Sequence, residues 1–373
     1  MSGERIEETS NPDDGASSLE EPFYHKLAEH LDRLPGGFSP SKTGAHIRLL
    51  KKLFTPEEAE LATHLTLKQE DAKTIAKKAR LSAPQTEKLL DEMAMKGLIF
   101  SVQPPKGPAL YQAAPWVIGI YEFQVNNLNE GLLEALNDYW DTNEPRDGSW
   151  KLNQLRTIPI GQSIEPTLEM LPYEQVEELV EANDTFAVAP CICRIKEKKQ
   201  GRGCDAPIET CLMFGEFADF YVKTGLGRYI SKTEMMKIIA EANEANLVLN
   251  PTNSRFVSAI CCCCGCCCGI LKGLQQYPKP SEIVVSSFVA EYDPEACVGC
   301  GVCLDRCQMQ AIAEKEDKVS LDSDRCIGCG LCVSTCPTGA LSLVRKPEGA
   351  QKEIPATLYD TWYKISEEMS QKR

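Results

Sequence analysis

The chain has 373 residues, 43% of them hydrophobic and 25% charged, with a formal net charge of −14. Such proportions are ordinary for a globular protein, and the length allows two or three domains, so disorder throughout is excluded. No apolar stretch approaches 18 residues, which excludes a membrane span, and 19 cysteines, an odd number, exclude complete internal disulfide pairing.

Residues 1–21 hold seven acidic residues against one arginine, without periodicity, and are expected to be a disordered acidic tail. This start has no apolar core and is not a secretory signal, so the expected location is cytoplasmic, where thiols stay reduced. Leu34-Pro35-Gly36-Gly37 marks a turn, and the chain reads as helix from about Thr43. Thr55-Pro56-Glu57-Glu58 starts a fresh helix. Helices are expected at Glu70–Ala79 and Ala83–Lys96, followed by a hairpin through Ile99-Phe100 and Leu110-Tyr111. In this order of elements, residues 22–115 resemble a winged helix-turn-helix. From 40 to 115 there are 12 Lys/Arg against 8 Asp/Glu, but the second helix carries Glu87, Asp91 and Glu92 against Lys88 and Lys96. That face lacks the arginine and asparagine of base reading, so a protein-interaction module is favoured over DNA binding.

All 19 cysteines follow position 190, whereas the four histidines lie within the first 64 residues, so pure thiolate sites are expected. Residues 116–280 form the expected cysteine-rich middle domain. Cys191, Cys193, Cys204 and Cys211 lie within 21 residues of one another, and Arg194 is placed to donate to a metal-bound sulfur. The helical periodicity of Glu216–Gly227 and Ser231–Asn246 predicts that this group sits among helices rather than in a sheet. Seven further cysteines occupy Cys261–Cys268, interrupted only by Gly265, more than core packing needs. C-x2-C pairs recur within the run, at Cys261/Cys264 and Cys264/Cys267 among others. One or more additional Fe–S clusters are therefore expected here, with Cys191, Cys193, Cys204, Cys211, Cys261, Cys264 and Cys267 as candidate ligands. The triplets Cys263-Cys264-Gly265 and Cys267-Cys268-Gly269 resemble the CCG motif of the heterodisulfide reductase family, which implies a thiol/disulfide reductase as the enzymatic alternative.

Residues 281–346 carry the clearest signal. Cys297, Cys300 and Cys303 are spaced C-x2-C-x2-C, with Cys307 four residues on; Cys326, Cys329, Cys332 and Cys336 repeat this 29 positions later. Asp293, Gly299 and Gly301 recur at the same offset as Asp322, Gly328 and Gly330. This duplication resembles the bacterial two-cluster ferredoxin, and one departure from that pattern is Gln308, where proline usually follows the fourth cysteine. The resemblance implies one [4Fe–4S] cluster on Cys297, Cys300, Cys303 and Cys336, and a second on Cys326, Cys329, Cys332 and Cys307. Zinc would be satisfied by C-x2-C pairs alone and would not need the interlocked third and fourth cysteines. Apolar segments at Ile283–Val289, Ala311–Ala313, Val319–Leu321 and Leu341–Val344 read as flanking strands, and residues 347–373 as a C-terminal tail.

The whole chain resembles multidomain iron–sulfur proteins of anaerobic bacteria and archaea, so the expected class is α+β: a winged-helix-like start, a mostly helical middle and a ferredoxin-like end. No nucleotide or flavin loop is present, and histidine, the usual general base, is absent beyond position 64. The expected function is single-electron transfer to a redox enzyme, alone or as an oxidoreductase subunit. A redox-sensing DNA-binding regulator is the other alternative. Residues 282–345 hold ten acidic against five basic side chains, which predicts an acidic docking surface for a basic redox partner.

Overall fold

The computed structural model describes residues 14–143, 153–163 and 168–371. Residues 1–13 of the expected acidic tail lie outside these, and the backbone is helical from Asp14 onward. The N-terminal layer runs α1 (Asp14–Arg33), α2 (Ala45–Leu53), α3 (Pro56–Ala62), β1 (Glu70–Asp71), α4 (Ala72–Ala79), α5 (Ala83–Met95), β2 (Ile99–Val102) and β3 (Leu110–Ala113). After these come the short turn α6 (Tyr121–Phe123) and α7 (Glu130–Thr142). Local chemistry sets these boundaries. Thr55 and Glu58 cap α3 reciprocally, each side chain bonding the other's backbone N–H. Gly97, at φ +70°, closes α5 where a β-carbon would strike Phe123. The strands pair antiparallel in the order β1–β3–β2 behind α4 and α5.

The middle of the chain corrects an expectation. It runs α8 (Val176–Glu181), β4 (Phe186–Pro190), α9 (Ile192–Lys199), β5 (Glu209–Phe214), α10 (Gly215–Lys223), β6 (Arg228–Tyr229), α11 (Lys232–Glu244), β7 (Val248–Pro251), β8 (Ala259–Cys263) and α12 (Gly269–Gln275). The helices α10 and α11 fall where periodicity placed them. The cysteines, however, are organised by a five-stranded antiparallel sheet of order β6–β4–β5–β8–β7, not by a helical domain. Phe-Ala-Val-Ala and Ala-Ile-Cys-Cys-Cys are short continuous apolar runs, because buried cysteine behaves as a small hydrophobe, and a strand covered on both faces carries no alternation to reveal it. Side chains nevertheless alternate between two cores. Ala187, Ala189, Met213 and Ala259 face the N-terminal layer, while Val188, Leu212, Phe214 and Ile260 face α8 and α11. One core therefore runs across the boundary expected between residues 115 and 116, with Phe100 packed on Phe217 and Phe220 at ring distances of 4.5 and 4.6 Å.

The C-terminal part comprises α13 (Pro280–Ile283), β9 (Phe288–Tyr292), α14 (Val302–Arg306), β10 (Ile312–Lys315), β11 (Lys318–Leu321), β12 (Leu341–Arg345) and α15 (Leu358–Gln371). Antiparallel β9–β12 and β10–β11 frame two loops. The strand expected at Ile283–Val289 lies further along, at Phe288–Tyr292. Pro280 occupies the first turn of α13, its fixed φ favouring helix there, and pairing begins only beyond Ser287. Residues 153–163 run between the middle sheet and this part: Ile158 bridges Leu249 of β7, and Ile160 N–H bonds the Cys329 carbonyl at 3.2 Å. Residues 347–373, expected as a tail, contain α15, whose buried Trp362 donates to Gln154 at 2.7 Å. Among the described residues no helix is long and apolar enough to cross a membrane.

Candidate metal centre

The duplication read in the sequence recurs in the backbone. Gly299, Gly301, Gly328 and Gly330 all sit in the left-handed region, at φ +67°, +73°, +71° and +73°, a conformation that side chains with a β-carbon resist. The two resulting loops turn backbone N–H groups toward sulfur: Gly299 to Cys297 at 3.5 Å, Ala290 to Cys326 at 3.4 Å and Ala311 to Cys307 at 3.1 Å. Such bonds stabilise a charged thiolate and fit a metal-bound sulfur.

The eight thiols lie around two neighbouring places. Cys297, Cys300, Cys303 and Cys336 line one cavity with Tyr292, Val302 and Leu341. Burial raises the Cys303 thiol, and the charges of Cys300, Cys336 and Cys297 add to it. In the other loop burial pushes the Cys329 thiol up to about 12, with Cys326 and Cys307 adding to it. Cys332 is raised by burial and then by Cys329, Cys326 and Cys307, and it also senses Cys303 across the gap between the two sets.

The two sets differ in exposure. Around the first, Cys300 is exposed, and Val298 and Val302 are 66% and 45% exposed, large values for valine. Around the second, Cys326, Ile327, Leu331 and Cys332 are buried. The arginines of this part point inward. Arg306 donates to Asn243 of α11 at 3.0 and 2.9 Å, Arg325 to the Gln275 carbonyl at 3.1 Å, and Arg345 to Glu174. Asp293, Glu295, Asp305, Glu314, Glu316 and Asp317 remain exposed, so the outer surface is more acidic than the composition alone conveys.

The middle cysteines form two groups. Cys204, Cys264, Cys266 and Cys267 place their four sulfurs within 4.8 Å of one another. Of the seven candidate ligands this shell contains Cys204, Cys264 and Cys267, and it adds Cys266, the one exposed member of the run. Cys266 forms a C-x2-C pair with Cys263, but the overlapping pairs Cys261/Cys264 and Cys264/Cys267 have the same spacing, so spacing alone does not select it. The signal that could have found it is Gly265, which turns the run back on itself.

Cys191, Cys193, Cys211 and Cys261 lie elsewhere. Antiparallel register sets Cys211 opposite Cys261, and side-chain neighbours link Cys191, Cys193, Cys268, Cys263, Cys261 and Cys211 in succession. Hydrogen bonding within the group, reinforced by burial, pushes the Cys191 and Cys261 thiols well above their usual value. Glu122 faces this group, its carboxyl raised to about 7 by burial although it accepts the Gly119 N–H at 2.9 Å. Cys262, on the opposite face of β8, joins neither group.

Two side chains join the parts. The guanidinium of Arg194 is buried and donates to the Pro207 carbonyl at 2.8 Å, to the Thr210 hydroxyl and to the Cys262 carbonyl. Burial alone would raise the Cys264 thiol, but the Arg194 charge together with hydrogen bonds from Cys266, Arg194 and the Cys267 backbone more than offsets this and holds it below its usual value. Gln308 accepts the Gly265 N–H at 2.6 Å through Oε1, while its carbonyl accepts from Gln275 at 2.7 Å. A β-carbon on Gly265 would approach within 2.7 Å of the Gln308 carbonyl, so glycine interrupts the cysteine run where the segment after Cys307 docks. Gln308→Pro, which restores the usual ferredoxin residue, is expected to leave the buried Gly265 N–H without its partner and to cost about 1–3 kcal/mol. A thermal melt of the full chain measures this; an unchanged melting temperature would show that the bond carries no weight.

A family model described as a 4Fe-4S dicluster domain matches residues 290–343. No curated protein and no solved structure matches the chain. The chain is thus an iron–sulfur protein with a C-terminal 4Fe-4S dicluster domain, an assignment that in general terms supports electron transfer.

Proposed function

We propose that the protein is an electron-transfer iron–sulfur protein, or the corresponding subunit of a redox complex, with its docking point for a redox partner at the exposed cysteine loop and its far end in the thiol-rich middle. In this reading Cys297, Cys300, Cys303 and Cys336 hold the outer [4Fe–4S] cluster, and Cys326, Cys329, Cys332 and Cys307 the inner one. When bound, each cluster takes up and releases one electron. The observation that carries the reading is the asymmetry of the duplicated loops, one exposed beside Val298 and Val302, the other buried, with Gln308, the residue after its fourth proposed ligand Cys307, bonded to the cysteine run.

The chain's own residues set the direction. Val298 and Val302 offer a small apolar contact, and the exposed carboxylates around them attract a partner with a basic surface. The inward turn of Arg306, Arg325 and Arg345 removes the positive charge that would oppose this and fastens the ferredoxin part to α11, α12 and Glu174. Three results test the function. Anaerobic purification should yield at least about eight iron and eight sulfide per chain, with EPR signals on reduction. Electron transfer to a cationic haem protein should slow several-fold as ionic strength rises, because screening removes the attraction. Val298→Gln with Val302→Gln should slow it roughly tenfold, equivalent to about 1.4 kcal/mol of docking energy, with iron content unchanged. A rate insensitive to both salt and these changes would place docking elsewhere.

The N-terminal module, with β1–β3–β2 behind α4 and α5, is proposed as a winged-helix-like unit used for protein contact. The exposed side of α5 presents Glu87, Asp91 and Glu92 with Lys88 alone opposing them before Lys96, a poor match to phosphate. The thiol/disulfide reductase alternative is disfavoured by access, since Cys266 is the one exposed cysteine in the run.

A further inference from the structure

The spacing of four sulfurs distinguishes a single ion from a cluster. The separations are 3.7 Å for Cys204 to Cys264, 3.9 Å for Cys204 to Cys267 and 3.7 Å for Cys266 to Cys267. Four thiolates bound tetrahedrally to one ion at about 2.3 Å stand about 3.8 Å apart, since the edge of a tetrahedron is about 1.6 times its centre-to-corner distance. A cubane asks for a wider set, because each thiolate binds a different iron. The ferredoxin loops provide an internal comparison: among the described residues, their eight sulfurs form no group that closes within 4.8 Å, and this one does.

The shell is also assembled across the fold rather than by local crowding. Cys204 follows α9, whereas Cys264, Cys266 and Cys267 form the turn between β8 and α12, about sixty positions later. The β4–β5–β8 pairing and the Arg194 bonds to Pro207, Thr210 and Cys262 bring the two segments together.

We propose that Cys204, Cys264, Cys266 and Cys267 hold one tetrahedral, thiolate-bound metal ion, Fe2+ or Zn2+, as a mononuclear centre distinct from both ferredoxin clusters. Binding releases the thiol protons of the four ligands and needs no inorganic sulfide. The centre abuts the ferredoxin part beside Cys307, since Gly265, between two of its ligands, bonds Gln308, the residue after Cys307. The assignment stands on sulfur geometry and does not depend on the electron-transfer reading.

The test uses the full chain, purified anaerobically, with iron, zinc and acid-labile sulfide measured per chain. Cys204→Ser with Cys266→Ser should lose one equivalent of iron or of zinc and no sulfide; the element lost identifies the ion. Cys266→Ser alone, at an exposed position, keeps the fold intact and should make that one equivalent extractable by a chelator, while the EPR signals of the ferredoxin clusters stay unchanged. Loss of about four iron with four sulfide would show a cubane and overturn the proposal, as would unchanged metal content with unchanged chelator resistance in both variants.

Discussion

Cys329→Ala is expected to remove about four iron and four sulfide per chain, leaving in place the outer cluster proposed on Cys297, Cys300, Cys303 and Cys336. The loss should extend beyond the cluster. Cys329 is a hub of the inner loop: its carbonyl accepts from Ile160, and Gly328 and Gly330 on either side adopt left-handed backbone. Around it Ile327 and Leu331 are buried in the core shared with the middle sheet, and Cys326 and Cys332 within the ferredoxin part. A void there, lined by sulfurs that have lost their metal, should cost several kcal/mol, in the upper range for core truncations. Cys300→Ala removes a ligand at an exposed position and should lose a similar amount of iron with a much smaller fall in thermal stability. Iron and sulfide analysis beside a thermal melt compares the two. Equal destabilisation would mean that the inner cluster does not brace the junction.

Arg194→Met should be the most damaging single change outside the cluster ligands. It strands three acceptors, the Pro207 and Cys262 carbonyls and the Thr210 hydroxyl, and it takes the compensating charge away from Cys264. Removing a hydrogen-bonded buried charge of this kind costs about 3–5 kcal/mol. Arg194→Lys keeps the charge but cannot reach three acceptors from one fork, so recovery should be partial. Thermal unfolding orders the three proteins. Lysine equal to arginine would show that charge alone matters, and methionine equal to arginine would show that the anchor is dispensable.

What was legible in the sequence was whatever is short-range. The eight ferredoxin cysteines, their glycines and the 29-residue offset specify two loops because each thiol's position depends on neighbours three or four residues away. The same holds for the Thr55–Glu58 cap and for the α4, α5, β2, β3 succession, which depend on local capping, turns and periodicity. Gln308 was visible as a departure from pattern, but its partner was not, since Gly265 lies 43 positions earlier.

The grouping of the middle cysteines was decided by tertiary structure. Eleven thiols permit many sets of four, and composition cannot choose among them. Antiparallel register sets Cys211 opposite Cys261, the turn after β8 carries Cys264, Cys266 and Cys267 to Cys204, and Arg194 binds both segments from the buried side. The same packing buries one ferredoxin loop and exposes the other, although the repeat makes them near-equivalent in sequence. A ligand spacing is a property of a few bonds, whereas a register between strands fifty residues apart is set by which apolar faces are buried together.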